Sequence, residues 1–136
     1  MTSPVTVNHI ALNCSNLAAQ EAFYTKLFGC RRSRTFNRGK PGEFFMLKIG
    51  GTRLELFPTD QAKTTGLRGG EQPVGFKHLA FNVPKLEPFI EALQADGIQP
   101  DKIIELPQLA AGFRIVFFRD PEGNILELME GYCDEE

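Results

Sequence analysis

The sequence predicts an α+β fold built from two tandem modules, each with the element order βαβββ. Two short strings support this prediction because each of them occurs twice. The pattern His-apolar-Ala-apolar-Asn stands at residues 9–13 and again at 78–82, and the pattern Leu-Glu-Leu stands at 54–56 and again at 126–128. The copies are 69 and 72 positions apart, so the two halves of the chain stay nearly in register.

The first module is predicted over residues 5–58. Val5–Cys14 is dense in apolar, β-prone residues and predicts a strand. Apolar residues then recur at spacings of three and four over residues 17–28, which predicts a helix that stops at Gly29. Three further strands are predicted at residues 30–36, 43–49 and 52–57, and a Gly-Gly turn joins the last two.

The second module is predicted over residues 74–130. It follows a linker at residues 59–73, which is polar, rich in Gly and Thr, and without periodicity. Its elements have the same order as those of the first module. They are a strand at 76–83, a helix at 84–96 that ends at Gly97, a short strand at 98–106, and a hairpin of two strands at 113–118 and 124–130. Both modules together form one predicted domain over residues 1–136.

Composition narrows the class of protein. The 136 residues are enough for one domain with a substantial core. A net charge of −2, with no basic stripe interleaved with aromatic residues, argues against nucleic-acid binding. No apolar run approaches 18 residues and no charged-then-apolar leader is present, so we expect neither a membrane span nor a signal peptide. Three scattered cysteines without a CxxC pattern indicate reduced thiols and a cytoplasmic protein.

Strand alternation sorts the side chains of the repeated strings. The two apolar residues inside each five-residue string share one face, so His9 and His78 point to the opposite face. The leucines of each Leu-Glu-Leu string also share one face, and Glu55 and Glu127 point away from it. If the two sheets face each other across a pseudo-twofold axis, these four side chains converge in one cleft.

Two imidazoles and two carboxylates form a donor set for a divalent metal ion such as Zn²⁺, Ni²⁺, Co²⁺, Fe²⁺ or Mn²⁺. Four ligands on an octahedral ion leave two positions for water or substrate. A single strand histidine is more often a packed or surface residue, and a strand glutamate usually faces solvent. The chain has only two histidines, however, and both occupy the same place in the repeat, as both glutamates do. This coincidence favours metal binding over a repeat whose site is vacant.

The sequence resembles the vicinal oxygen chelate superfamily, which has the glyoxalase, bleomycin-resistance and dioxygenase fold. The resemblance covers residues 5–130. Besides the His-apolar-Ala strand starts, it rests on Phe-Tyr-Thr-Lys-Leu-Phe-Gly at 23–29 and on Asp-Pro-Glu-Gly-Asn at 120–124. It implies βαβββ modules whose mixed sheets form a metal-containing cleft, paired within one chain or across a swapped dimer. It also implies a homodimer and the metal ligands His9, Glu55, His78 and Glu127.

A glutamate as the second ligand resembles the glyoxalase I branch, and the implied protein is a lactoylglutathione lyase-like metalloenzyme. The resemblance implies Zn, Ni or Co, with Fe or Mn as alternatives, and a small hydroxy-carbonyl substrate or its thiol adduct. Glu127, with Glu55 on the opposite side, would move a proton through a metal-bound enediolate. Bacterial glyoxalase I has an arginine for glutathione where this chain has Asn13, so the use of glutathione stays open.

Three other functions remain as alternatives. An extradiol-type dioxygenase usually has three protein ligands, and Glu55 would fill a position that oxygen needs. A thiol transferase of the fosfomycin-resistance kind would bring a potassium-binding loop and a more basic cleft. A non-catalytic binding protein of the bleomycin-resistance kind typically lacks the metal ligands.

Five cations lie within ten positions, at Arg31, Arg32, Arg34, Arg38 and Lys40. Charge often protects the edge strand of a sheet, and this is the interpretation we favour. The alternative is a clamp for a carboxylate or phosphate of the substrate, for which the guanidinium group is well suited.

Overall fold

The computed structural model describes residues 4–61 and 74–135, and the chain divides into two compact units, Met1–Thr64 and Thr65–Glu136. Within these described ranges each unit has one helix and a four-stranded mixed sheet, which confirms the predicted α+β class and the tandem βαβββ order. Most of the predicted linker, residues 62–73, lies outside the described residues. Within the described ranges, no helix is long and apolar enough to cross a membrane.

The first unit has the strand order β1-β4-β3-β2, with β1 parallel to β4 and the other pairs antiparallel. Its elements are β1 (Ile10–Cys14), α1 (Leu17–Phe28), β2 (Arg31–Phe36), β3 (Phe44–Ile49) and β4 (Thr52–Pro58). The strand β2 therefore lies at an edge of the sheet, as the edge interpretation of its cations requires.

The helix α1 has the bounds that the sequence predicts, because a capping residue stands at each of its ends. Asn16 accepts a hydrogen bond from the Ala19 amide through its side-chain oxygen, at 3.0 Å. Gly29 adopts a left-handed conformation with φ of 67° and donates to the Thr25 carbonyl. Tyr24 on this helix and the leucines of β4 are almost fully buried, so the core of the unit lies on this face of the sheet.

The second unit repeats the arrangement with the strand order β5-β8-β7-β6, and β5 is parallel to β8. Its elements are β5 (Leu79–Asn82), α2 (Glu87–Ala95), β6 (Ile104–Glu105), β7 (Arg114–Arg119) and β8 (Ile125–Glu130). In each unit the first and last strands therefore pair in parallel, and the last two strands form a hairpin.

The first strand of each unit is shorter than the sequence predicts. The strand β1 begins at Ile10 instead of Val5, and β5 begins at Leu79 instead of Phe76. Val5 and Phe76 are apolar and β-prone, but both are almost fully exposed and neither has a partner strand in the ladder. Strand propensity without a pairing partner does not make a strand, and the prediction was too long for this reason.

The turn before β8 is organised by Asp120, a buried carboxylate. Its Oδ1 accepts hydrogen bonds from the amides of Glu122 and Asn124, at 3.0 and 2.9 Å. Its Oδ2 accepts one from the Asn124 side chain at 2.8 Å. These bonds fix the point at which β8 begins, and hence the register of the strand that carries Glu127.

The start of α2 is fixed by a partly buried charge pair instead of a local side-chain cap. Leu86 has no side-chain cap, but its amide donates to Oε1 of Glu130 on β8, at 3.0 Å. Arg114 on β7 donates twice to the same carboxylate, at 2.8 and 2.7 Å, and once to Glu87, at 2.7 Å. These hydrogen bonds lower the pKa of Glu130 to about 2, and the contribution of Arg114 is the largest.

We expect Glu130→Gln to lower the melting temperature by several degrees at pH 7, because it removes the carboxylate to which Arg114 donates twice and leaves only Glu87 as a charged partner. A depressed carboxyl pKa contributes stability that is complete above the unfolded value near 4.5 and is lost as pH falls toward about 2. The difference between wild type and variant should therefore shrink over this range in denaturant titrations. Glu91→Gln removes the same charge from an exposed position of α2 and serves as control. A pH-independent difference would contradict the prediction.

A close backbone approach at Gly131, just after β8, gives a second prediction. Gly131 has φ of 80°, and a Cβ built there lies 2.9 Å from the carbonyl carbon of Gly112. Gly97 has a similar φ of 76° with nothing within 4 Å of the added carbon. We expect Gly131→Ala to cost about 1–3 kcal/mol more than Gly97→Ala, since only the former adds a steric clash. Equal free energies of unfolding for the two variants would disprove this.

Candidate functional site

The first His–Glu pair lies where β1 and β4 run side by side. His9 immediately precedes β1, and Glu55 lies in the middle of β4, directly opposite Ala11 in the parallel register. Thr52 donates through its hydroxyl toward the Asn8 carbonyl at 3.3 Å, which ties the segment before β1 to the start of β4. Nε2 of His9 then lies 3.5 Å from Oε1 of Glu55.

The second pair has the same construction. His78 precedes β5, and Glu127 lies in the middle of β8, opposite Ala80. Nε2 of His78 is 2.9 Å from Oε1 of Glu127. Phe117, the antiparallel neighbour of Glu127 on β7, meets the His78 ring edge-on at 5.4 Å between centroids. The imidazole is therefore held between a carboxylate and an aromatic wall.

Both glutamates are buried although they point away from the leucine core. Glu55 is 9% exposed and Glu127 is 7% exposed, whereas the side chains of His9 and His78 are 38% and 26% exposed. Burial of a carboxylate is costly unless a cation or hydrogen-bond donor compensates for it. In each unit the histidine is the only such partner that the described residues show within ion-pair distance.

His9 also has an orienting partner on its other nitrogen. Nδ1 lies 2.9 Å from the side-chain oxygen of Asn8, which only accepts hydrogen bonds. This contact favours the tautomer with the proton on Nδ1, and in that tautomer Nε2, which faces Glu55, keeps its lone pair. Orientation of a ligand histidine by an outer hydrogen bond is typical of metal sites. The sequence reasoning did not identify Asn8, because the corresponding residue of the second copy is Lys77.

The distances within the pairs fit two ligands of one ion. Ligands bonded at about 2.1 Å lie roughly 3.0 Å apart at a right angle and roughly 3.4 Å apart at a tetrahedral angle. The observed separations are 2.9 and 3.5 Å. Among the residues that the structure describes, no group of three or more His, Cys, Asp or Glu side chains gathers at one point. The structure thus shows two His–Glu pairs, and the four-ligand centre stays a prediction.

The two buried cysteines do not offer an alternative nucleophile. All three cysteines are free of disulfides, Cys14 and Cys30 are buried, and Cys133 is exposed. Burial raises the pKa of the Cys30 thiol to about 11, which keeps it protonated and unreactive.

A model of the Glyoxalase/Bleomycin resistance protein/Dioxygenase superfamily matches residues 6–128, and this chain belongs to that superfamily. Members commonly bind a divalent metal ion and small-molecule substrates, and many are metalloenzymes that form dimers. The superfamily supports an activity of the glyoxalase, dioxygenase or resistance type.

Individual relatives agree with this assignment. The uncharacterised protein YwkD of Bacillus subtilis is 31% identical, over 92% of this chain and 96% of its own. The crystal structure of a glyoxalase family protein from Enterococcus faecalis is 32% identical with a TM-score of 0.74, over 92% and 97% of the two chains. The fosfomycin resistance protein FosX from Listeria monocytogenes, at 18% identity and a TM-score of 0.72 over 98% and 97%, is similar in fold alone.

The contact between His9 and Asn8 predicts a fixed tautomer. At a pH where imidazole is neutral, we expect the proton of His9 on Nδ1, and we expect Asn8→Ala to weaken this preference. Long-range ¹H–¹⁵N spectra of the imidazoles, recorded on metal-free protein, distinguish the tautomers. His78, for which the structure shows no such Nδ1 partner, is the internal control. A neutral His9 protonated on Nε2 in the wild type would contradict the prediction.

Proposed function

We propose that this protein is a metal-dependent lyase or isomerase of the glyoxalase kind, acting on a small hydroxy-carbonyl compound or its thiol adduct. The two His–Glu pairs together, at His9, Glu55, His78 and Glu127, would bind one divalent ion, with Zn, Ni or Co preferred to Fe or Mn. The observation that supports the proposal most is the repetition of one construction: a buried carboxylate facing the Nε2 of an imidazole, at the same place in both units.

The donor set fits such an ion, since neutral imidazole and carboxylate are ligands for borderline and hard cations. A divalent ion bound there would supply Lewis-acid stabilisation for negative charge on the oxygens of the substrate. The same ion would also offset the burial of two carboxylates. The histidines alone do so weakly, because they are partly exposed and need to be protonated to carry charge.

Glu127 is the residue that we propose as the base. Ala80 and the ring of Phe117 flank it in the sheet, so its carboxylate is poorly solvated and has few competing donors. A carboxylate in this position would accept a proton from a substrate carbon and return it to the adjacent carbon. Glu55 would act on the opposite side of the substrate, and the overall reaction involves no redox change.

Metal content is the decisive test of the proposed centre. Protein purified without chelator should contain near-stoichiometric Zn, Ni or Co. His78→Ala should lose most of it, because it removes one of the four predicted ligands and leaves Glu127 as the sole ligand of its unit. Glu91→Gln, an exposed substitution with no metal ligand, should retain the ion. Iron with catechol-dependent oxygen uptake would favour a dioxygenase. Protein that stays metal-free after reconstitution would defeat the catalytic proposal and favour a binding protein.

Proton transfer is tested separately from metal binding. We expect wild-type protein in D₂O to convert methylglyoxal, offered alone as its hydrate or with a thiol such as glutathione as the hemithioacetal, into lactate or a lactoyl thioester that carries deuterium on the hydroxyl-bearing carbon, as followed by ¹H NMR. Glu127→Gln should lower this rate by about 10²–10⁴-fold, the usual worth of a positioned base. Glu91→Gln is again the control. A Glu127→Gln variant that keeps its metal and its full rate of conversion would assign the base elsewhere.

The proposal includes a homodimer, in keeping with the dimers that superfamily members often form. Light scattering after size exclusion gives the mass directly, against 15.2 kDa for one chain.

A further inference from the structure

The sheet face that carries Glu55 also carries three cations in one row. Arg31 on β2 pairs with Lys48 on β3, and Lys48 pairs with Arg53 on β4. Paired residues of neighbouring strands share a face, so the three side chains stand side by side. We call Arg31, Lys48 and Arg53 the cation row. Met46 pairs with Glu55 two residues further along β4, so the cation row and the carboxylate lie in neighbouring rows of the same face.

This arrangement is unfavourable by itself. Like charges directly opposite each other in a sheet are destabilising. Within the described ranges, none of the three cations forms an ion pair, although Lys48 and Arg53 are half-buried. Cations on the opposite, helix-facing side are neutralised: Arg32 contacts Glu21 at 2.6 Å. The sheet therefore leaves unpaired positive charge only on the face of Glu55.

A β-bulge adds a fourth cation to this face. Arg32 pairs with Leu47 and Arg34 pairs with Met46, so Ser33 is the extra residue of β2. In a regular strand Arg32 and Arg34 would share a face. The bulge instead turns Arg34 to the side of Glu55, where its guanidinium lies 5.2 Å from the Phe36 ring. Bulges that re-aim a side chain are common beside functional sites.

The second unit lacks this row. In the first unit, Arg53 stands two residues before Glu55 and pairs with Lys48. In the second unit, Ile125 stands two residues before Glu127 and pairs with Arg119, so these two residues occupy the corresponding positions. Arg119 donates to the Gly123 carbonyl at 3.1 Å and has no cationic neighbour in the ladder. The repeat preserves the His–Glu pair in both units and the cation row in one only.

We propose that the cation row binds a dianionic part of the substrate, such as a phosphate ester or the two carboxylates of a dicarboxylate. Three cations at adjacent strand spacings span roughly 10 Å and exceed what one carboxylate needs. Arg53 is two residues from Glu55, so the anion would lie roughly 7 Å from the reacting end. The single buried glutamate beside the row and the net charge of −2 favour a small anion over a polyanion.

This inference rests on the proposed function only in taking the anion to be part of the substrate. Anion binding itself is tested without metal. Chelator-treated full-length protein is titrated by calorimetry at low ionic strength with glycerol 3-phosphate, with succinate and with neutral glycerol. We expect at least one dianion to bind and to raise the melting temperature, and glycerol to do neither. If the protein binds a dianion but shows no metal-dependent activity, the proposed reaction is wrong and the anion site is still supported.

Lys48→Gln removes the centre of the row and should weaken dianion binding by about tenfold. The same variant should melt at a higher temperature than wild type in the absence of anion, because it relieves like-charge repulsion. Arg31→Gln, at the exposed end of the row, should act in the same directions. Arg38→Gln is the charge-matched control, in the loop at the other end of β2. It should change neither quantity.

Two outcomes would overturn the proposal. Equal weakening by Arg38→Gln would mean that net charge alone attracts the anion. Binding of neither dianion would mean that the row has no anion partner. Tighter binding of succinate or of glycerol 3-phosphate supports the proposal in either case and identifies which dianion the row prefers.

Discussion

The parallel pairing of the first and last strands in each unit is the constraint on which the candidate site depends. It places Ala11 opposite Glu55 and Ala80 opposite Glu127, and it brings the histidine at the start of one strand next to the glutamate in the middle of the other. A small residue opposite each glutamate leaves room for the imidazole. A slip of one residue would turn the glutamate into the leucine core, so the same register that buries the core also builds the pair.

Charge is distributed very differently on the two faces of these sheets. On the helix side, Arg114 and Glu130 neutralise each other and fix the start of α2, and Arg32 contacts Glu21 of α1. On the side of the glutamates, carboxylates are buried against partly exposed histidines, and the first unit adds unpaired cations. Stability is achieved on one face, while the other keeps charges that a metal ion or an anionic ligand would balance. This contrast is what joins the proposed metal centre to the proposed anion subsite.

The two units share their backbone ladders but differ in the side chains that surround the repeated pair. An aromatic row, Phe36–Phe44–Phe57, stacks across the first sheet with centroid separations of 4.7 and 4.4 Å. The second sheet has Ile115 and Met129 in the corresponding register. A duplicated scaffold of this kind keeps one chemistry in both halves and leaves each half a different recognition surface.

The sequence by itself determined the α+β class, the tandem order and the side-chain faces of the repeated strings, because hydrophobic alternation and an internal repeat are local properties of the chain. It also identified His9, Glu55, His78 and Glu127 as candidates by their repeated positions. Only the tertiary structure decided where the first strands begin, since Val5 and Phe76 have strand propensity but no partner. It alone placed Arg34 on the same sheet face as Glu55, because a bulge reverses the face that spacing implies. Register and bulges depend on contacts between distant segments, and these are not encoded in any short stretch of sequence.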